Sequence, residues 1–116
     1  MKINMNNYNT NEILESFLTL PKNWNNNGAM TPSKELVNKM KGIVSVLPIQ
    51  PEVFLTARDS IQFQYEKDNG NYLEFELFEN GKLEMFKTDS NNNEESKSIK
   101  VNIEFILKTI NEFYRI

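Results

Sequence analysis

The chain has 116 residues, 39% of them hydrophobic and 11% aromatic, with a formal net charge of −3 and neither cysteine nor histidine. That is enough for the core of one domain spanning 1–116, too apolar for a disordered acidic chain, and without any apolar run near the ~20 residues of a membrane helix. Disulfides, thiol chemistry and the commonest general base and metal ligand are excluded, no cofactor is implied, and the acidity disfavours direct nucleic-acid binding, whose affinity rests on neutralising phosphates.

The charge is uneven. Five Lys against three Glu give +2 over Met1–Leu47, five basic against eleven acidic residues give −6 over Glu52–Ser98, and three against two give +1 thereafter. Met1-Lys2-Ile3-Asn4-Met5-Asn6-Asn7 is polar and unlike a secretory leader, so residues 1–8 read as a flexible start and the expected location is cytoplasmic. Asn9-Thr10-Asn11-Glu12 then reads as a helix start, an Asn cap with Glu three residues on, and Ile13, Leu14, Phe17, Leu18 and Leu20 form an apolar face that Pro21 ends. A second helix is expected from Thr31-Pro32, with Thr31 as cap and Leu36, Met40, Ile43, Val44 and Leu47 inward, until Pro48 and Pro51 stop it. Gly42, inside that pattern, costs about 1 kcal/mol relative to alanine unless close packing needs it.

From Val53 to Lys87 the period changes to two. Ile61, Phe63 and Tyr65 alternate with Gln62 and Gln64; Leu73, Phe75 and Leu77 alternate with Glu74 and Glu76; Leu83 and Met85 bracket Glu84. Two-residue Asn-Gly turns would put Leu77 opposite Glu84. Three-residue loops, Asp68-Asn69-Gly70 and Glu79-Asn80-Gly81 with each glycine left-handed, instead pair Tyr65 with Leu73, Phe63 with Phe75, Ile61 with Leu77, Leu77 with Leu83 and Phe75 with Met85. The same rule at Arg58-Asp59-Ser60 pairs Ala57 with Ile61, Leu55 with Phe63 and Val53 with Tyr65. The stretch 88–98, rich in Asn, Ser and Glu, reads as a mobile loop, Ile99 and Val101 are compatible with a short edge strand after it, and Asn102 caps a last helix carrying Ile103, Ile106, Leu107, Ile110, Phe113 and Tyr114. The expected fold is therefore α+β: a four-stranded antiparallel meander with three amphipathic helices, two N-terminal and one C-terminal, on one face.

Motifs for common chemistries are missing. The four glycines stand apart, at 28, 42, 70 and 81, so no phosphate loop exists. Asp89-Ser90-Asn91-Asn92-Asn93 imitates a calcium loop, but Glu94 and Lys100 occupy the positions that require glycine and glutamate, and no metal site is expected. No histidine is present to activate a serine. The one carboxylate constellation comes from the register, which faces Glu76 with Glu84 on the side away from the helices, beside Glu74, Gln62, Gln64 and Glu66. An open sheet face is wet and shallow, a poor setting for paired-carboxylate catalysis, and opposed glutamates repel, so replacing either should leave stability unchanged or slightly raised. Tyr72 and Phe86, with Phe54 and Phe78, interleave with these acids, a composition suited to a partner surface. Trp24, the only tryptophan, either anchors the loop between the first two helices or, with Asn25, Asn26 and Asn27, contacts a small ligand such as a nucleotide or metabolite.

The segment Leu20-Pro21-x-x-Trp24-Asn25-x-x-Gly28-Ala29-x-x-Pro32-Ser33, with Leu47-Pro48, Pro51-x-Val53 and Ile61-Gln62-Phe63-Gln64-Tyr65, resembles a group of small bacterial and phage proteins. Their shared pattern is LP-x-x-W-D-G-Y-G-A-x-x-P-S, a helix, and a meander opening I-x-L-E-W; this chain departs from it at Asn25-Asn26-Asn27 and at Gln64-Tyr65. The resemblance implies a loose association with mobile elements and phage, and no established activity. The expected function is a non-enzymatic module that binds a protein with a basic surface through Glu74, Glu76, Glu84, Tyr72, Phe86, Gln62 and Gln64, as an antitoxin, immunity protein or inhibitor of a bacterial defence system. A homo-oligomer is also compatible with the sequence.

Overall fold

A computed structural model of the chain describes residues 7–21, 24 and 31–116. The elements in order are α1 (Asn7–Phe17), α2 (Lys34–Val44), β1 (Glu52–Leu55), β2 (Ser60–Glu66), β3 (Tyr72–Phe78), β4 (Lys82–Thr88), β5 (Glu94–Lys100) and α3 (Ile103–Tyr114). The fold is α+β, but its antiparallel sheet has five strands rather than four, in the order β1-β2-β3-β4-β5. No described helix is long and apolar enough to cross a membrane.

The helices differ from expectation at their starts. Asn7 and Tyr8 are already helical, so the flexible start assigned to 1–8 does not hold for them, and Asn9 is an interior residue of α1 rather than its cap. The buried stripe runs Thr10, Leu14, Phe17, opening one turn earlier than the apolar pattern because Thr10, fully buried, extends it at helical spacing. The cap of α2 is Ser33, not Thr31: its Oγ accepts from Leu36 N at 2.9 Å, the bond an N-cap makes to the third helical residue. Thr31 instead donates its hydroxyl to Leu20 O at 2.7 Å and clips together the two ends of the inter-helix connection. Asn102 caps α3 as expected, accepting from Phe105 N at 3.0 Å.

Between β2, β3 and β4 every expected pair is present, including Phe63 with Phe75, Ile61 with Leu77 and Phe75 with Met85. β1 is displaced by two residues: Leu55 lies opposite Ile61 and Val53 opposite Phe63, so Ala57 is not in the ladder. The loop is Ala57-Arg58-Asp59, closed by Thr56 N donating to Ser60 O at 3.2 Å, with Asp59 left-handed at φ 58°. Aspartate tolerates that conformation and serine does not favour it, which moves the loop back by one residue at each end. The larger correction concerns 88–98, which is not a mobile loop. Thr88 ends β4, Asp89 to Asn93 form a tight turn, and Glu94–Lys100 pairs along the whole of β4. Asp89 builds that turn: Oδ1 accepts from Asn91 N (2.8 Å) and Asn93 N (3.0 Å), Oδ2 accepts from Asn93 Nδ2 (3.0 Å), and Asn92 is left-handed at φ 65°. Backbone pairing, not side-chain burial, makes β5, since only Ile99 on it is even half-buried.

All four hairpins therefore share one design. The left-handed residue is the third of three loop residues in each, and those residues, Asp59, Gly70, Gly81 and Asn92, are eleven apart. In the two Asn-Gly loops the glycine amide turns back on the preceding strand, Gly70 N to Lys67 O and Gly81 N to Phe78 O, each at 3.0 Å. Equal loops at equal intervals keep the strands unstaggered, and one face collects Val53, Ile61, Phe63, Tyr65, Leu73, Phe75, Leu77, Leu83 and Met85. The three helices all pack there. Leu14, Val37, Met40, Val44, Ile106 and Ile110 are buried in the same cluster, Phe63 stacks on Phe75 with centroids 4.9 Å apart, and Phe105 of α3 meets Phe75 edge-on.

Candidate functional site: the outer face of the sheet

The residues between the inward ones form the other face, which no described element covers. Because the strands are unstaggered, outer side chains stand in rows across the sheet. One row runs Phe54, Gln62, Glu76, Glu84, Ser98; the next runs Glu52, Gln64, Glu74, Phe86, Ser96; a third places Glu66, Tyr72, Thr88 and Glu94 together. At the opposite end Ser60, Phe78, Lys82 and Lys100 form a row. The face is thus acidic over most of its breadth and basic at one margin.

Glu76 and Glu84 do face each other, but they are not equivalent. Glu76 is only 6% exposed and accepts a hydrogen bond from Ser60 Oγ, itself fully buried and hydrogen-bonded to Thr56 Oγ1. Arg58, projecting from the β1–β2 loop, reaches over the pair, its Nη1 at 3.8 Å from Glu76 Oε1 and its Nη2 at 3.8 Å from Glu84 Oε1. Lys82 Nζ adds a contact to Glu84 Oε2 at 3.2 Å, and both cations lie on the Phe78 ring, Arg58 at 5.2 Å and Lys82 at 4.5 Å from its centroid. The expectation of an open, mutually repelling pair is therefore corrected: Arg58 bridges it, and Glu76 is a buried support rather than a contact surface. Ser60, though it donates to a carboxylate, is sealed from any substrate. The sequence reading missed Arg58, Lys82, Ser60 and Thr56. The loop spacing was the signal that would have placed them.

Tyr72 organises the neighbouring patch. Its Oη lies 2.8 Å from both Gln64 Oε1 and Glu74 Oε1, and Gln62 Nε2 donates to Gln64 Oε1 at 3.0 Å. Burial first, then the hydrogen bond and charge of Glu74 and the charge of Glu66, push the Tyr72 hydroxyl above the usual tyrosine range, so it remains a donor. The aromatic side chains are less exposed than expected: Tyr72, Phe78 and Phe86 are half-buried among neighbours, and only Phe54, at 43%, is openly exposed. Between β3, β4 and β5 the face dips into a shallow groove lined by Glu74, Glu84, Phe86, Ser96 and Ser98. Its last two walls belong to β5. Of the predicted contacts, Glu74, Glu84, Tyr72, Phe86, Gln62 and Gln64 thus share one surface.

The alternative ligand site is only touched by the structure. Trp24 is half-buried, and Asn25, Asn26 and Asn27 lie outside the described residues. One further link fixes the frame behind the site. The Glu79 carboxylate, from the β3–β4 loop, accepts from Ser33 N (3.0 Å) and Ser33 Oγ (2.6 Å), placing an anion at the N-terminus of α2, where the helix dipole favours it. Compared with protein families, with characterised proteins and with solved structures, the chain shows no match.

Proposed function

We propose that the chain is a non-enzymatic protein-binding domain whose contact surface is the outer face of the sheet and whose partner presents a basic patch. The observation that supports this most is the segregation of the fold. All the described helices serve one face, while the other holds glutamates, amides and half-buried aromatic rings on a rigid, evenly registered platform. Such a surface is preorganised: Gln62, Gln64, Tyr72 and Glu74 are already tied to one another, so little side-chain entropy is lost on contact. Glu74 and Glu84 supply charge that steers a basic partner, and Phe54, Tyr72 and Phe86 supply apolar area beneath it. An antitoxin, immunity protein or phage-borne inhibitor of a defence system acts through a surface of this kind, and the resemblance noted in the sequence points the same way.

The test begins with affinity copurification from the native host and continues with calorimetry on the identified partner. Glu74→Lys and Glu84→Lys should each weaken binding by about 2 kcal/mol, roughly thirtyfold, if they sit near the centre of the interface, while the melting temperature stays near wild type. Wild-type affinity for both variants would refute the assignment of this face.

A further inference from the structure

β5 is a seven-residue edge strand, exposed along nearly its whole length, without proline or bulge. Edges of this kind pair with other strands unless something blocks them, so the pattern of groups it offers carries information. Val101 N donates to Gly81 O at 2.9 Å and Asp89 N donates to Asn93 O at 3.1 Å, which fixes the alternation of the antiparallel ladder. Residues 93, 95, 97, 99 and 101 turn their amides and carbonyls toward β4. Glu94, Ser96, Ser98 and Lys100 therefore turn theirs outward from the sheet. Those same four residues carry their side chains on the outer face.

We propose that this edge pairs with β5 of a second copy of the chain, antiparallel about a two-fold axis through Lys97, to give one continuous ten-stranded sheet. Only that register uses the backbone of all four outward residues, setting Glu94 opposite Lys100 and Ser96 opposite Ser98. By symmetry each end of the junction then holds a Glu94–Lys100 pair of opposite charge. A shift of two residues, with Ser96 opposite itself, sets Glu94 against Ser98 and leaves Lys100 without an opposite. On the inner face the two Lys97 side chains meet near the axis. Each lies over its own Phe105, Nζ 5.5 Å from the ring centroid, and has Glu95 of the second copy on its diagonal. The charge sequence Glu-Glu-Ser-Lys-Ser-Ile-Lys is thus complementary to itself reversed at its ends, which selects one register from those an edge allows. The two acidic faces become a single surface, although the pairing does not depend on what that surface binds.

The experiment is sedimentation of the full chain over a concentration series, with charge variants chosen so that the interface can be broken and rebuilt. Wild type should be a dimer that dissociates on dilution. Glu94→Lys places two lysine pairs at the junction and Lys100→Glu places two glutamate pairs; each should weaken self-association by about tenfold or more, with unchanged circular dichroism. Mixing the two variants restores both opposite-charge pairs and should restore the dimer at wild-type strength, as should the double exchange within one chain. Ser96→Pro, which removes an outward amide that the β4 ladder does not use, should give a folded monomer. A wild-type chain that stays monomeric to about 1 mM, or variants whose mixture associates no better than either alone, would overturn the proposal, whatever other strand the edge accepts.

Discussion

Exchanging Glu76 and Glu84 in turn for lysine separates two carboxylates that the register alone makes look alike. Glu76 is buried and accepts from Ser60 Oγ, so removing it leaves a sealed hydroxyl without its charged acceptor, a loss of about 1.5–3 kcal/mol. The 3.8 Å contact with Arg58 adds less, about 0.2–1 kcal/mol, because the guanidinium is 63% exposed. A lysine at 76 would also have to hold its ammonium beside Arg58 in a site with little water, and the total for Glu76→Lys is about 3 kcal/mol or more. At 84 the side chain is partly in solvent, its two cation contacts are each worth under about 1 kcal/mol, and a lysine there meets Arg58 and Lys82, both exposed enough to turn away, while gaining an attraction to Glu76 that offsets the repulsion. Glu84→Lys should therefore change stability by no more than about 0.5 kcal/mol. Urea unfolding followed by circular dichroism measures both, and in a melt the Glu76 variant should fall by roughly 10 °C. Glu76→Gln, which keeps an acceptor for Ser60, should recover part of the loss. Equal effects at 76 and 84 would refute the burial and hydrogen-bond argument together.

Two glycines should respond with opposite signs. Gly42 lies on the exposed side of α2, where an added Cβ meets nothing within 4 Å, so Gly42→Ala should stabilise by about 0.5–1 kcal/mol. Gly81, at φ 89°, should lose about 1–3 kcal/mol on Gly81→Val, and paired thermal melts would show whether the signs differ. The β4–β5 turn should loosen in acid. Hydrogen bonds from the Asn93 side chain and backbone hold the Asp89 carboxyl below the usual 3.8, so its contribution is present above that value and is lost as pH falls through its folded pKa. Relative to the intrinsic exchange rate, protection of the Asn91 and Asn93 amides should be lost as pH falls below 3.8, before that of the β2 and β3 amides, and simultaneous loss would show that the turn has no titration of its own.

The central hairpins were legible because two constraints agreed there: Asn-Gly sequences limit the loop, and one face must be apolar, so a slip by one residue exposes Phe63, Phe75 and Leu77 at once. β1 lacked the second constraint. A slip by two residues keeps Val53 and Leu55 inward, and only the left-handed preference of Asp59 distinguishes the registers. β5 lacked both, since an edge strand held by its backbone can carry Glu-Ser-Lys-Ser without any apolar alternation. Carrying the eleven-residue interval from Gly70 and Gly81 in both directions reaches Asp59 and Asn92, and with them the register of the β1–β2 hairpin and the presence of the β4–β5 hairpin, neither of which the side-chain pattern fixes. The site was legible to the same extent. Periodicity put Glu74, Tyr72, Gln64 and Phe86 on one surface, whereas the bridging of Glu76 and Glu84 depended on Arg58, whose reach follows from a loop position that apolar pattern does not fix.

Two of the three Asn-Gly pairs in the sequence, those in the β2–β3 and β3–β4 hairpins, also bear on how the protein ages. Asparagine followed by glycine deamidates when the glycine nitrogen attacks the side-chain amide carbon, expels ammonia and closes a succinimide that opens to aspartate or isoaspartate. In the folded chain both nitrogens are committed, Gly70 to Lys67 O and Gly81 to Phe78 O, while Asn69 Oδ1 and Asn80 Oδ1 accept from Asn71 N and Lys82 N. Ring closure then requires the hairpin to open first. Isoaspartate at positions 69 and 80 accordingly accumulates with the time each turn spends unfolded, so a peptide map of an old sample is a record, turn by turn, of how often the meander has come apart.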